Sequence, residues 1–374
     1  WNPEEARAAL SPEDADWFME RFAILPEGNF HSHEPFHQGW SIPYLEKPLT
    51  PGESARFEKI RASLRKHRAK RPAPPRDPKI IASWNGLMLS ALAEAVRALG
   101  DKAYAETATR CADLLLSRHF RNPAGLRSVL GDQDGPPAVL EDFAAVAVGL
   151  LDLHEVTGET RWLRSALSLT RTMIDRFGAG GLEQGFYRTA PDARDMPMSA
   201  VPWQDGQEPG PNTLAMAALR KLGLLLQEDA WLAASEKWLL VHAGLARKFP
   251  EAVPFLLALM EEAVQGPVTI TVRACPGNAD KVYAMLSILW SRFLFHGAVA
   301  AADLHSAAEF RVFNGMDIPE TASVAAWVCS PSGCFPPVSA FDGLSQLLDA
   351  AGVPKMKRGG WRRVNSAEGI QGIS

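Results

Sequence analysis

Cysteine is scarce in this sequence, which contains four in 374 residues. So few cysteines cannot supply the disulfide framework that supports many small secreted proteins. The low count instead favours a reducing compartment, and we expect a cytoplasmic protein.

An excess of charge of one sign is also lacking. The chain has 43 acidic and 39 basic residues and a net charge of −4. A balance of this kind creates no field that would attract nucleic acid or anionic lipid. We therefore expect no nucleic-acid partner.

Long hydrophobic runs are absent as well. The most apolar stretch, Ile288 to Ala302, contains Arg292 and His296 and is shorter than the roughly 18 to 20 apolar residues of a membrane span. We expect a soluble protein with no membrane partner. The sequence starts at Trp1 rather than Met, with no apolar leader after it, so we expect it to begin inside a longer product.

What the sequence does contain is a repeated helical hairpin. Three times an apolar helical pattern ends at a Gly, Asp or Glu hinge and a second helix opens on an aromatic residue. The first helices span Asn85 to Gly100, Asp142 to Gly158 and Asn212 to Gln227, and the second helices open near Tyr104, Trp162 and Trp231. Such a stack predicts a mainly α protein built as an (α/α) hairpin toroid, with function in its central loops.

The rest of the chain divides around this repeat. Residues 1–76 are expected to form lead-in helices and a loop, and residues 77–265 the α/α-hairpin domain. Strand and helix patterns then alternate over residues 266–352, which predicts a small C-terminal α/β domain. Residues 353–374 lack apolar periodicity and are expected to form a flexible tail.

One motif carries a resemblance to a known family. The run Ser83-Trp84-Asn85-Gly86 within residues 77–88, with blocks such as Glu141-Asp142-Phe143-Ala144 and Gly185-Phe186-Tyr187, resembles the thioredoxin-domain-containing family of spermatogenesis-associated protein 20 and its bacterial relatives. The resemblance implies an N-terminal thioredoxin-like domain followed by an (α/α)6 toroid of the six-hairpin glycosidase and sugar-epimerase type. Against that pattern this chain would hold a partial (α/α)6 barrel, because the thioredoxin-like domain and the first hairpins would precede Trp1. It also has Pro209-Gly210-Pro211-Asn212 where the family usually has Pro-Ser-Gly-Asn.

Acidic residues at the helix starts are the candidate catalytic groups. Glu141 and Asp142 precede the second hairpin, and Asp205 precedes the third. In a toroid these ends would line one cleft, where Asp142, or Glu141 in its place, could face Asp205 as an acid–base pair. The alternative is structural, since an Asp at a helix start often caps backbone N–H groups.

Two pairs of Trp and Asn residues are the candidate substrate contacts. Trp84 and Asn85 begin the first hairpin, and Trp203 and Asn212 precede the third. An indole face beneath a sugar ring, with amides for its hydroxyls, fits this repetition. Core packing for the Trp side chains and N-capping for the Asn side chains are the competing interpretations.

Neither a metal nor a cofactor is expected. His31, His33 and His37 cluster within one loop, but a zinc site usually takes a further ligand from an ordered element, so a solvated loop is favoured. Cys329 and Cys334 flank a turn, but a zinc site would need two more ligands, so structural thiols or a turn-closing disulfide are favoured. His154, inside a helix, is expected to be a packed side chain. The Gly-rich segment at residues 178–181 lacks the Lys-Ser/Thr pair of a phosphate loop.

These patterns predict a carbohydrate-active protein that binds a sugar in the toroid cleft and performs epimerisation or glycoside hydrolysis. The alternative is a non-catalytic helical scaffold attached to a thioredoxin-like redox domain absent from this chain. A half ring would expose apolar helix faces, so self-association, or association with a missing N-terminal half, is the accompanying expectation.

Overall fold

The computed structural model describes residues 1–30, 39–118, 127–130, 135–191, 200–290, 292, 294, 297–303 and 310–355. The protein is mainly helical with a small mixed sheet. It separates into two compact units, residues 1–77 and residues 78–374. The predicted His31, His33 and His37 cluster lies outside the described residues.

The first unit contains three helices with well-formed N-terminal caps. They are α1 (Pro3–Ala9), α2 (Pro12–Arg21) and α3 (Pro51–Arg68). Each begins with Pro after a capping Asn2, Ser11 or Thr50, because Pro has the backbone angle of a first helical residue and lacks the N–H that a helix start leaves unpaired. Helices are therefore present within residues 1–76, where lead-in helices were expected.

The second unit contains the three predicted hairpins. Their first helices are α4 (Ala82–Leu99), α6 (Leu140–Thr157) and α8 (Pro211–Leu226), and their second helices are α5 (Lys102–Arg118), α7 (Thr160–Phe177) and α9 (Asp229–Lys248). Gly100, Gly158 and Gln227 end the first helices at φ 68°, 73° and 57°. This left-handed conformation turns the chain directly into the second helix.

The first helices of the hairpins form an inner row in the order α4, α6, α8, and each second helix packs outside its own partner. The backbones of α4 and α6 approach so closely at Gly86 and Gly149 that a Cβ on Gly149 would lie 2.4 Å from the carbonyl oxygen of Gly86. Helix α6 is at the centre of the row and is buried on nearly all sides. A further helix, α10 (Pro254–Gln265), packs on α8 and α9.

The C-terminal part forms a four-stranded mixed sheet. Its strands are β3 (Val268–Ala274), β4 (Gly297–Asp303), β5 (Val324–Ser330) and β6 (Gly333–Cys334), in the order β4-β3-β5-β6. β3 and β4 are parallel and joined through α11 (Ala279–Leu289), whereas β5 and β6 are antiparallel to their neighbours. α12 (Phe341–Ala350) follows, and a two-stranded ribbon, β1 (Ile80–Ile81) with β2 (Val129–Leu130), lies at the start of α4. The predicted strand–helix–strand pattern is confirmed.

The sheet shares a core with the helical row. β4 contacts α6 and α8, and α11 contacts α6, so the carboxyl-terminal half of α6 is covered by the α/β part. The boundary predicted at residue 265 and the closed or partial toroid both stay predictions. Among the described helices, none combines the length and the apolar character needed to cross a bilayer.

Candidate functional site

The amino-terminal ends of the inner helices converge at one end of the row. The backbone N–H of Ser83 in α4 donates to Asp142 Oδ1 in α6 at 3.1 Å. The indole N–H of Trp84 donates to the carboxylate of Glu208, which precedes α8. Side chains from three hairpins are therefore close together here.

Asp142 is fully buried and holds this junction together. Besides the bond from Ser83, its Oδ2 accepts the N–H of Val139 at 3.0 Å. Because α6 begins at Leu140, Asp142 is its third residue and bonds back to the cap position, so the interpretation of Asp142 as the N-cap itself is wrong. Both carboxylate oxygens are used by backbone groups.

Asp205 has a similar arrangement. Its Oδ1 accepts the N–H of Gly210 at 2.6 Å, and its Oδ2 accepts the N–H of Phe255 at 2.7 Å. It fixes the loop before α8 to the start of α10. Asp142 and Asp205 are each bonded to backbone donors rather than to one another.

The two predicted amides are also engaged with the backbone. Fully buried Asn212 accepts the N–H of Phe186 at 2.7 Å and donates to the carbonyls of Phe186 and Pro202 at 2.9 and 2.8 Å. Asn85 donates to the carbonyl of Ile81 at 2.8 Å. Ile81 and Gly210 occupy the cap positions, so the N-cap interpretation is wrong for both Asn residues.

Glu141 differs from these groups because only one of its oxygens is satisfied. Arg188 donates through Nε and Nη2 to Glu141 Oε1 at 2.9 and 2.6 Å. Glu141 Oε2 is buried and has no hydrogen-bond partner among the described residues. A buried acceptor without a donor is costly, so a donor that reached this oxygen would form a favourable hydrogen bond.

Arg188 connects this carboxylate to the rest of the junction. Its pKa is raised by the hydrogen bond and charge of Glu141, with smaller contributions from Asp142 and Glu208. Trp84, bonded to Glu208, is 58% exposed. We call Trp84, Glu141, Arg188 and Glu208 the helix-end cluster: an exposed indole, a guanidinium and two carboxylates.

Trp203 lies apart from this cluster, beside the carboxyl-terminal half of α9. Its ring is 6.4 Å from that of His242, which is 4.2 Å from that of Trp238. Trp203 is half-buried against the core. The bonds of the helix-end cluster do not reach it.

Sequence analysis missed Arg188 and Glu208. Arg188 follows directly after the Gly185-Phe186-Tyr187 block, and Glu208 lies between Asp205 and Asn212, so both adjoin motifs that had been noticed. An Arg or Glu in a loop has no periodicity that separates it from an ordinary surface charge. The structure identifies them by their hydrogen bonds to residues distant in the sequence, Arg188 to Glu141 and Glu208 to Trp84.

A buried ionic network in the inner row was also missed. Lys221 in α8 donates to Asp152 and Glu155 in α6 at 2.5 and 3.1 Å, and Arg97 in α4 donates to Glu155 at 2.6 Å. Burial alone would raise the pKa of Asp152, but the charges of Lys221 and Arg97 lower it below its usual range. Glu155 Oε1 also accepts the N–H of Val299, which ties β4 to the row.

His154 lies beside this network and is fully buried. Its Nε2 accepts the N–H of Ala301 at 3.3 Å, and its Nδ1 faces the carbonyl of Glu159 at 3.1 Å. These partners define a neutral ring that carries its proton on Nδ1. Burial lowers the pKa of His154, and the expected packed role is confirmed.

The described residues contain no group of three or more metal-ligating side chains, and the absence of a cofactor stays a prediction. Cys329 and Cys334 form a disulfide that closes the turn between β5 and β6, one of the outcomes expected from their spacing. Cys111 and Cys275 are unpaired thiols.

The sequence of the chain is similar to those of several known proteins. No protein-family model matches the chain. Spermatogenesis-associated protein 20 of Rattus norvegicus is 30% identical over 253 residues, or 64% of this chain and 31% of the relative. The chain is similar to spermatogenesis-associated protein 20.

Two further matches agree. The Homo sapiens protein of the same name is 27% identical over 76% of this chain and 37% of its own length. An uncharacterised protein of Caenorhabditis elegans is 23% identical over 93% of this chain and 51% of its own length. These matches support the family that the motifs indicated, and the chain spans about a third to a half of the relatives it matches.

Proposed function

We propose that the helix-end cluster binds a sugar and carries out acid–base chemistry on it, either epimerisation or glycoside hydrolysis. The supporting observation is Glu141, whose Oε2 is buried without a donor while Arg188 holds its other oxygen. A sugar hydroxyl supplies the missing donor. The exposed indole of Trp84 offers an apolar face for the C–H surface of the ring.

The role proposed for each carboxylate depends on whether its oxygens are already bonded to the backbone. Glu141 acts as one acid–base group and Glu208 as the second, because both lie in the cluster and neither is fully bonded to the backbone. Asp142 and Asp205 position the helix ends that carry the cluster. Asn85 and Asn212 hold the adjoining backbone, and Trp203 would contact a substrate long enough to extend towards α9.

The test is a titration with a panel of mono- and disaccharides, followed by isothermal calorimetry and by saturation-transfer NMR. We expect binding that weakens at least tenfold in Trp84→Ala and in Glu141→Gln. Glu106→Gln, a change at an exposed carboxylate on α5, is the matched control and should bind as the unchanged protein does. Absence of binding across the panel, or equal binding by Trp84→Ala, contradicts the proposal.

Catalysis is tested separately with any sugar that binds. NMR of the incubated sugar distinguishes epimerisation, which changes one stereocentre, from hydrolysis, which releases a new reducing end. Glu141→Gln and Glu208→Gln should each lower the rate by at least a hundredfold. Binding without turnover would leave a sugar-binding protein and refute the catalytic part.

A second function, a helical scaffold that associates with a copy of itself, is supported by exposed apolar side chains on α9 and α10. Leu240, Val241 and Val264 are 76%, 68% and 80% exposed. Large apolar patches favour association. Sedimentation at increasing protein concentration should show dimers that Leu240→Glu removes and that Ser168→Glu, on α7, does not; a monomer at every concentration excludes this function.

The thioredoxin-like domain and the cytoplasmic location belong to the same proposal. They rest on the resemblance and on the low cysteine content, respectively. A full-length gene product that contains an upstream Cys-x-x-Cys sequence would support the first.

A further inference from the structure

The disulfide between Cys329 and Cys334 lies at the edge of the sheet. The two residues are directly opposite one another in the β5–β6 pair, and Ser330 and Gly333 form the last pair before the turn. Cys334 is exposed and Cys329 is half-buried. Cys334 therefore lies on an accessible surface, next to the turn residues Pro331 and Ser332, which are exposed too.

The bond closes a very short loop, since the cysteines are five positions apart. Because a disulfide stabilises mainly by restricting the unfolded chain, and does so more for longer loops, this one contributes less stability than a disulfide that closes a long loop. Exposed disulfides of this kind exchange with external thiols more readily than buried ones do. An exposed disulfide that closes a short loop is therefore better suited to thiol–disulfide exchange than to stabilising the fold.

The neighbouring hydrogen bonds hold the hairpin without the sulfur bond. Phe335 donates its N–H to the carbonyl of Val328 at 2.9 Å, and Ala326 and Val338 exchange two backbone bonds at 2.8 and 3.0 Å. On its other side β5 is paired with β3 as far as Cys329. Reduction would therefore leave the strands in place, with both thiols still facing each other and able to reoxidise.

We propose that Cys329 and Cys334 form a thiol–disulfide exchange site that reacts with an external dithiol. A thiolate of the dithiol attacks Sγ of Cys334, the bond between Cys334 and Cys329 breaks, and Cys329 leaves as a thiolate that takes a proton from water. The second thiol of the reductant then attacks its own sulfur in the mixed disulfide, which releases Cys334 and oxidises the dithiol to a disulfide. Two electrons pass from the dithiol to the protein, and the reverse sequence reoxidises the pair.

The remaining described cysteines are internal controls. Cys111 is half-buried with its Sγ 3.6 Å from Asn85 Oδ1, and burial raises the pKa of its thiol. Cys275 is half-buried with its Sγ 3.9 Å from the carbonyl of Ala322. Cys111 should react slowly in the folded protein because a thiol with a raised pKa forms little thiolate.

The first experiment follows reduction of the whole chain by dithiothreitol, using alkylation of the released thiols and mass spectrometry. We expect Cys329 and Cys334 to become labelled together, at a rate proportional to dithiothreitol concentration and unchanged by low urea. Labelling that needs unfolding, so that its rate follows the urea concentration, would overturn the proposal. So would a pair that air and oxidised glutathione fail to reoxidise.

The second experiment tests which sulfur is attacked. Cys329→Ser leaves Cys334 alone, and Cys334→Ser leaves Cys329 alone. With oxidised glutathione, the accessible Cys334 thiolate of Cys329→Ser should form a mixed disulfide at least tenfold faster than Cys329 does in Cys334→Ser. Equal rates would refute the assignment of Cys334 as the attacked sulfur, and Cys111→Ser, as the control, should leave the exchange of the intact pair unchanged.

Discussion

At the scale of single residues, the candidate site depends on how each carboxylate is bonded. Asp142, Asp205 and Glu141 all precede or begin helices, yet the first two satisfy both oxygens with backbone N–H groups. Glu141 keeps one oxygen unbonded within the described part of the chain. A carboxylate whose two oxygens both accept backbone N–H groups has a structural role in holding those backbone segments together.

Replacement of Asp142 by Asn should therefore act on stability. Its amide nitrogen would face the N–H of either Ser83 or Val139, so one buried donor loses its acceptor, and the expected cost is about 1–3 kcal/mol of unfolding free energy. Urea denaturation followed by circular dichroism measures it. Asp175→Asn, at an exposed position of α7, should stay within about 0.5 kcal/mol; equal midpoints for both variants would contradict the structural role.

His154 should make stability depend on pH. Its pKa is lowered from 6.5 by burial in the folded protein, so the unfolded chain takes up a proton first as the pH falls. Its stabilising contribution is complete above about pH 6.5 and decreases below it, by at most about 1.4 kcal/mol per pH unit, until the folded protein is protonated too.

The measurement is the unfolding free energy by urea at pH 7.5, 6.5 and 5.5. His154→Gln keeps a neutral polar side chain at all three values, so its stability should fall less steeply with decreasing pH than that of the unchanged protein. Parallel profiles would show that another group causes the dependence.

At the scale of elements, the inner row depends on the close crossing of α4 and α6. Gly86 and Gly149 face each other there, with no space for a Cβ at either position. A glycine inside a helix normally costs stability relative to Ala, so its presence in this crossing indicates that the packing gained by close approach outweighs that cost.

Replacement of Gly149 by Ala should lower the stability of the protein. The added Cβ would lie 2.4 Å from the carbonyl oxygen of Gly86, so the helices must separate, at an expected cost of about 1–3 kcal/mol. Gly244→Ala in α9 is the matched control, since nothing lies within 4 Å of its Cβ, and it should gain about 0.5–1 kcal/mol. Thermal unfolding of both variants compares the signs, and stabilisation by both would refute the close crossing.

At the scale of the whole molecule, the second unit behaves as one body in which the sheet completes the helical row. Val299 and Ala301 of β4 donate backbone N–H groups to Glu155 and His154 of α6. Glu155 belongs to the buried ionic network and His154 lies beside it, so removing the sheet would expose buried charged groups to water. The sheet therefore stabilises the row of inner helices by covering α6 and bonding to its buried polar side chains.

A chain cut at the predicted boundary tests this dependence. A fragment of residues 78–265 should keep helical circular dichroism but lose a cooperative urea transition, because α6 would expose apolar surface and unpaired buried charges. Residues 78–355, which retain the sheet, are the control and should unfold cooperatively. Cooperative unfolding of the shorter fragment would instead support the separate domains expected from sequence.

Although the short strands β1, β2 and β6 were not predicted, the hairpins and the three longer strands of the sheet could be predicted from the sequence. Apolar spacing reports the period of the local backbone, and Gly100 and Gly158 supply the left-handed turns that end the first helices, so these elements were predictable within a few residues. Even the acidic helix starts were visible.

The hydrogen-bond partners of those residues, in contrast, could not be predicted from the sequence. Asp142 is bonded to Ser83, 59 positions away, and Asp205 to Phe255, 50 positions away, whereas Arg188 reaches Glu141 across 47 positions. Which oxygen keeps an open hydrogen-bonding position depends on backbone donors brought in from other helices. The periodicity of the sequence does not predict these hydrogen bonds, because they form only when the inner helices pack side by side and their ends meet.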